Sequence, residues 1–202
     1  MKTEHDKREA EWEKLLHIAT RGRDDSNADT YRYPYEPTPY CVLERLGNSG
    51  LIGKKNTLLD YGCGKGRVDL FLAYQTKCRC IGIEYDERIY ARAEENRTAA
   101  VSGGRVEFLQ EDASVHEVRP EVDRFYFFNP FSIELLRSVM GRILDSRYET
   151  PRECLLFFYY PSDEYVSYLM TVPELEFYDE IDCSDFFPEN AEREKILIFE
   201  LV

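Results

Sequence analysis

The sequence predicts an α/β fold, a mostly parallel sheet covered by helices and closed at its C-terminal end by an antiparallel strand pair. From Thr57 onward, apolar runs of strand length alternate with stretches of helix length, the rhythm of right-handed strand-helix-strand crossovers. The runs are continuously apolar rather than alternating with polar residues, as strands buried on both faces are. The final two runs are joined by a segment too short and too turn-rich for a crossover helix, which makes that pair antiparallel.

Residues 4–20 place Trp12, Leu15, Leu16 and Ala19 at helical spacing and predict a leading amphipathic helix, packed as a lid or flank. Residues 21–40, RGRDDSNADTYRYPYEPTPY, hold three prolines and many turn formers and read as a loop whose tyrosines need a surface to pack on. A short helix over about 40–48 leads to Gly47 and Gly50. Then come strand TLLDY (57–61), a helix over 66–75, strand RCIGIEY (79–85), a helix over 86–100 and strand RVEFLQ (105–110). Beyond a loop lie DRFYFFN (123–129), a helix over 132–146 and ECLLFFYY (153–160). ELEFYDEIDC (174–183) and EKILIFELV (194–202) flank the turn-rich SDFFPENAER and complete the strand pair. No repeat or low-complexity tract interrupts this order. Residues 1–50 thus read as a helical and loop extension beside the site, and 51–202 as the ligand-binding domain.

A chain of 202 residues suits one domain with a substantial core. Hydrophobic residues make up 43%, aromatic ones 14%, and no apolar run approaches the roughly 18 needed to cross a bilayer, so a soluble globular protein is expected. The N-terminal MKTEHDKREAEWEKLL is no secretory signal, and the cytoplasm is the expected compartment. Six cysteines in an unexported chain read as free thiols; Cys78 and Cys80 would share one strand face, and with no second pair at zinc-site spacing no metal is expected. A net charge of −13 disfavours nucleic acid as partner, because no dense Lys/Arg stripe offsets the repulsion of phosphates. From Ser162 onward twelve Asp/Glu face only Arg193 and Lys195, either a solvated face or a surface for a basic partner.

The chemistry centres on TLLDYGCGKGR (57–67). A dinucleotide fingerprint requires a third glycine where this chain has Arg67; the pattern present is Asp60, Gly62, Gly64, Gly66. A pyrophosphate needs a helix N-terminus aimed at it, whereas S-adenosylmethionine joins an amino acid to adenosine through a sulfonium and carries no phosphate. An acid at the strand end can attract that ligand's ammonium, and glycines let the backbone approach closely. The pattern therefore favours S-adenosylmethionine over NAD.

With these residues the sequence resembles the class I S-adenosylmethionine-dependent methyltransferases over about residues 38–202, including the terminal antiparallel pair. The resemblance implies a Rossmann-like three-layer sandwich with a seven-stranded sheet and S-adenosyl-L-methionine as cofactor. It places Asp60, Gly62 and Gly64, with Cys63 in the same loop, around the methionine end. In IGIEYD, Glu84 falls where an acid accepts hydrogen bonds from both ribose hydroxyls, with Tyr85 beside it. In QEDA, Asp112 falls near the adenine amine with the Ala113 backbone alongside, although adjacent Glu111 would take that place if the register moved by one. FFNPF (127–131) sits over the transferable methyl, and Asn129, Pro130, Phe131 resemble, with one proline fewer, the Asn-Pro-Pro-aromatic motif of enzymes methylating planar amines and amides. YPYEPTPY (33–40) is placed across the mouth of the site, where Thr38 and Tyr40 could touch cofactor or target.

Each of these residues also has a purely structural reading. Glu84 could cap the following helix; Asn129 suits a helix N-cap and Pro130 a first helical position. Small Cys63 suits a tight loop, and tyrosines beside prolines often only pack a loop. His116, after the third strand, is either a base or a solvent-exposed loop residue. Methyl transfer from a sulfonium demands mainly alignment and desolvation, so the absence of a Ser-His-Asp or Cys-His set is expected. The function read from the sequence is methyl transfer to nitrogen or oxygen of a small molecule or a protein side chain. The alternatives are a non-catalytic cofactor-binding module acting through a partner, and an RNA methyltransferase.

Overall fold

A computed structural model describes residues 4–24 and 33–202; of the 21–40 loop, residues 25–32 lie outside the described part. The chain opens with helices α1 (Glu4–Leu16) and α2 (Tyr40–Gly47), followed by β1 (Thr57–Tyr61), α3 (Arg67–Gln75), β2 (Arg79–Glu84), α4 (Glu87–Ala99) and β3 (Val106–Gln110). It continues through β4 (Arg124–Phe127), α5 (Ile133–Glu149), β5 (Leu155–Tyr159), α6 (Asp163–Leu169), β6 (Leu175–Asp182) and β7 (Lys195–Leu201). The seven strands form one sheet in the order β3-β2-β1-β4-β5-β7-β6. β1 to β5 run parallel, and β7 enters antiparallel between β5 and β6.

The alternation of strand side chains sorts the core into two layers. Leu58, Tyr126, Phe157 and Ile198 meet α2 and α3 on one face, while Leu59, Phe125, Phe127 and Phe158 meet α5 and α6 on the other. All five residues of β1 and of β5 are buried, which explains why these runs lack polar alternation. Among the described residues no helix is long and apolar enough to cross a membrane.

Three local expectations change. The leading helix stops at Leu16 because His17 adopts φ 60° and the Ile18 amide turns back to the Glu13 carbonyl, 3.0 Å away, a left-handed C-cap. Its inward face is only in part the expected apolar stripe: Leu16 is buried and Trp12 packs on the core, but Leu15 and Ala19 are exposed and Glu9 and Glu13 are buried. An unforeseen short helix, α6, comes after β5, its first turn capped by the Ser162 hydroxyl, which accepts from the Tyr165 amide at 3.2 Å. The helix after β4 begins at Ile133 with Ser132 as N-cap, so Asn129 does not cap it and Pro130 is not its first residue.

Candidate active site

The sheet order reverses between β1 and β4, the place where open α/β sheets leave a crevice at the carboxyl ends of their strands. A cavity of about 870 Å³ opens there, within the range of roughly 300–1,000 Å³ for small-molecule sites. Asp60 faces it from β1, Glu84 from β2, Glu111, Asp112 and Ala113 from beyond β3, and Pro130 and Phe131 from beyond β4. Gly62, Cys63, Tyr85 and Thr38 complete the predicted residues along its wall.

The turn after β1 is built around Glu84. Its Oε2 accepts from the Gly64 amide at 3.0 Å and its Oε1 from the Asp86 amide at 2.9 Å. Asp86, not Glu84, caps α4, its side chain accepting from the amides of Arg88 and Ile89. The amides of Gly62 and Cys63 both reach the Ile83 carbonyl at 2.9 Å, and that of Gly66 reaches Cys63. These loop amides are therefore spent within the protein, and a carboxylate stands where a phosphate would need donors. A cation-bearing, phosphate-free ligand fits such a wall; a pyrophosphate does not. Gly62 is required sterically: at φ 75°, a Cβ there would lie 2.6 Å from that of Pro130. A Cβ on Gly64 would strike the Tyr35 ring at 2.2 Å.

Asp60 is buried at 3% exposure, and Asp69, from the first turn of α3, is fully buried with no hydrogen-bond partner assigned to either carboxyl oxygen. Burial first, then the carboxylates of Asp69 and Glu84, push Asp60 well above the usual carboxylate range. Burial pushes Asp69 up to about 7 despite a hydrogen bond with Asp60 that lowers it. Two neighbouring carboxyls out of water disfavour each other's ionisation, so both are raised. Burial also raises Glu84, and pushes the Cys63 thiol up.

Segment 33–39 roofs the cavity. The Tyr33 amide bonds the Pro130 carbonyl at 3.3 Å, Tyr35 pairs with Asp24, and the Tyr35 hydroxyl donates to the Thr20 carbonyl at 2.6 Å. Thr38 lies over the β4 end, its hydroxyl 3.0 Å from that of Tyr126. Arg67 anchors the roof from the start of α3: Nε donates to the Thr20 hydroxyl at 2.6 Å, Nη1 to Glu9 and to the Thr38 carbonyl, and Nη2 to Glu13. Its guanidinium lies 4.2 Å from the Tyr40 ring centroid, so Tyr40 is buried beneath the anchor and not along the cavity wall.

Asn129 and His116 also lie off the cavity wall. Asn129 sits at φ 39°, its amide donates to the Tyr160 carbonyl, and its Oδ1 accepts from the Ser162 amide at 3.2 Å. It lines an adjoining cavity on the other side of the roof. His116 is buried rather than exposed, its Nδ1 2.7 Å from Glu111. Asp112 is engaged through Oδ1 by the Ser114 amide at 2.9 Å and hydroxyl at 2.7 Å. All six cysteines are free and buried, and no metal-binding cluster occurs among the described residues. The sequence pattern gave little sign of the roof anchor, Arg67 with Glu9 and Glu13; the one signal was an arginine at the site's edge with acids spaced one helical turn apart upstream.

Residues 58–145 match the family model described as a methyltransferase domain. No curated protein matches the sequence. Among solved structures, an RNA methyltransferase from Salinibacter ruber in complex with S-adenosyl-L-homocysteine is 20% identical, with TM-score 0.54 over 82% of this chain and 94% of that one. A SAM-dependent methyltransferase from Thiobacillus denitrificans, also with S-adenosyl-L-homocysteine, is 15% identical, with TM-score 0.54 over 82% and 91%. A TehB-like SAM-dependent methyltransferase from Corynebacterium glutamicum is 15% identical, with TM-score 0.56 over 79% and 86%. At such identities the structures establish a shared Rossmann-like fold. The matched segment makes residues 58–145 similar to a methyltransferase domain, and the shared fold is that of these S-adenosylmethionine-dependent enzymes.

Proposed function

We propose that the protein is an S-adenosylmethionine-dependent methyltransferase that transfers the cofactor's methyl group to nitrogen or oxygen of a small molecule or a protein side chain. The observation that carries this reading is the roofed cavity at the strand ends, where Asp60, Glu84 and Asp112 line one wall and Pro130 and Phe131 another. Its cationic groups are already engaged: Arg67 by Glu9 and Glu13, and Arg88 by Asp24 at 3.2 Å. A wall so rich in carboxylates suits a neutral or cationic acceptor.

In this reading Glu84 accepts hydrogen bonds from the ribose hydroxyls through the lone pairs its two amides leave free. Asp60 faces the ammonium of the methionine end, and Asp112 with Ala113 borders the adenine. The cofactor supplies a methyl group already activated on a sulfonium. The remaining tasks fall to the protein: Pro130 and Phe131 confine the reacting groups, and the Tyr33–Thr38 roof keeps water out, so that alignment and desolvation carry the rate.

A second reading, methylation of RNA, is favoured by the likeness to the Salinibacter ruber enzyme. The net charge of −13 and the acidic cavity wall count against it. The experiment is transfer of labelled methyl from the cofactor to fractions of a cell lysate. Label is expected in a product that survives nuclease, and Asp60→Ala and Glu84→Ala should each abolish it. Label confined to nuclease-sensitive material would sink the first reading in favour of the second.

A further inference from the structure

β6 forms one edge of the sheet and pairs only with β7. A strand edge leaves a row of amides and carbonyls free to pair with another chain, so natural edges are kept short, covered or charged. The opposite edge, β3, is five residues long, packs against α4, and has Glu107 held by Arg119 through bonds of 2.7 and 2.8 Å. β6 has eight residues, roughly 27 Å of extended chain, and its middle, Glu176 to Glu180, is exposed throughout.

The two faces of this edge differ. Phe177 stands opposite Phe199, edge-on at 6.0 Å between ring centroids, on the face that α6 covers, and half of it is exposed. Glu176 and Asp179 stand opposite Glu200 and Ile198 and therefore share the other face. The register shifts between Phe177 and Asp179, so Tyr178 is an extra residue bulged from the ladder. Its half-exposed ring lines a groove with Leu155 and Glu200, on the face that carries the two acids. Among the described residues Glu176 and Asp179 form no ion pair, whereas Glu180 meets Lys195 at 3.3 Å. The lysines of that groove, Lys54 and Lys55, share it with Glu153 and Glu200. One face of the edge thus offers free carboxylates and a ring, and the other an apolar ring.

We infer that the β6 edge docks an extended segment of a partner protein in which Lys or Arg alternates with apolar residues. The partner's backbone adds a strand to the sheet through the free amides and carbonyls of β6. Successive side chains of a strand point to opposite faces, so its cations meet Glu176, Asp179 and the Tyr178 ring while its apolar side chains cover Phe177. A second copy of this chain does not fit. Laying β6 against β6 sets Glu176, Asp179, Glu180 and Asp182 beside their own counterparts, and like charges opposed across strands destabilise pairing. The excess of acid after Ser162 gains a role here: it prevents self-pairing and selects a basic strand. The inference stands apart from methyl transfer, since β6 contributes nothing to the cavity at the strand ends.

The test uses the full chain, with its backbone amides followed by NMR and affinities measured by calorimetry. Three short peptides are the probes: one alternating Lys and Val, one alternating Glu and Val, and the Lys-Val peptide with every amide N-methylated, which keeps the charge but cannot join a sheet. The Lys-Val peptide is expected to bind saturably and to shift the amides of 175–182 most. The other two should bind at least tenfold more weakly. Glu176→Lys combined with Asp179→Lys should weaken the Lys-Val peptide at least tenfold and strengthen the Glu-Val peptide. Phe177→Ser, which leaves the charge alone, should weaken the Lys-Val peptide at least threefold. Melting curves like the parent's verify that both variants fold. No binding of the Lys-Val peptide, equal binding of the Glu-Val or N-methylated peptide, or shifts centred away from β6 overturns the inference. So does sedimentation of the chain alone as a dimer that Phe177→Ser disrupts, because a second copy would then occupy the edge.

Discussion

Asp60 lies in β1 and Asp69 in the first turn of α3, and the raising of both carboxyls has a consequence for stability. Both carboxyls bind protons more tightly folded than unfolded, so the native state takes up protons above the ordinary value of 3.8 and, for Asp69, until about 7. Stability contributed by this pair is therefore greatest at low pH and declines as pH rises through that window. Asp69→Asn removes the like charge and supplies a donor to Asp60. Thermal melts should show it raised by several degrees at pH 8 and little changed at pH 4; a lower midpoint at pH 8 would contradict the mutual raising of the pair. Glu84→Ala strips the acceptor from the amides of Gly64 and Asp86. It is expected to cost roughly 1–3 kcal/mol by denaturant titration and to weaken S-adenosylhomocysteine at least tenfold by calorimetry, with Glu84→Gln intermediate in both.

At the scale of elements, the roof depends on one ion cluster. Arg67 at 2% exposure holds α1 through Glu9 and Glu13, the turn at Thr20, and the Thr38 backbone. Arg67→Met leaves two carboxylates buried beside α1 without their cation, a loss of roughly 3–5 kcal/mol for a broken buried pair. Because α1 touches only α2 and α3 appreciably, the loss should appear as local opening. Hydrogen exchange is expected to quicken across 5–16 and 33–39 while β1, β4 and β5 keep their protection; uniform acceleration would mean the cluster supports the whole core. The leading helix packs through Trp12 and Leu16, as its periodicity suggested, and through Glu9 and Glu13, which the periodicity did not mark.

For the molecule as a whole, the charge of −13 and the acidic lining of the cavity bear together on the proposed binding of a cationic cofactor. Cofactor binding should raise the melting midpoint by mass action, about 2.7 kcal/mol at a ligand concentration a hundred times Kd. Salt should weaken S-adenosylmethionine, which carries the extra positive charge, more than neutral-sulfur S-adenosylhomocysteine. Calorimetry at low and high ionic strength checks this, and equal salt dependence would argue that the buried carboxylates do not feel the sulfonium.

What the sequence by itself determined is whatever depends on neighbours along the chain. The buried strands announced themselves as apolar runs, the turn after β1 as an acid and spaced glycines, and the terminal pair as two strands with too little chain between them for a crossover. These signals placed Asp60, Glu84, Asp112 and Pro130 at strand ends, and the sheet then brought those ends to one cavity. Tertiary structure alone decided the partners of residues far apart in sequence. Glu9 and Glu13 are surface acids by pattern and become buried only because Arg67, 58 and 54 positions away, arrives beneath them. Asn129 reads as a helix cap, yet β5 brings the Tyr160 carbonyl and the Ser162 amide to its side chain. Glu194 reads as one acid among many, and burial behind Tyr159 singles it out. Desolvation and the pairing of buried charge are set by what the fold packs around a group, and no local pattern records that.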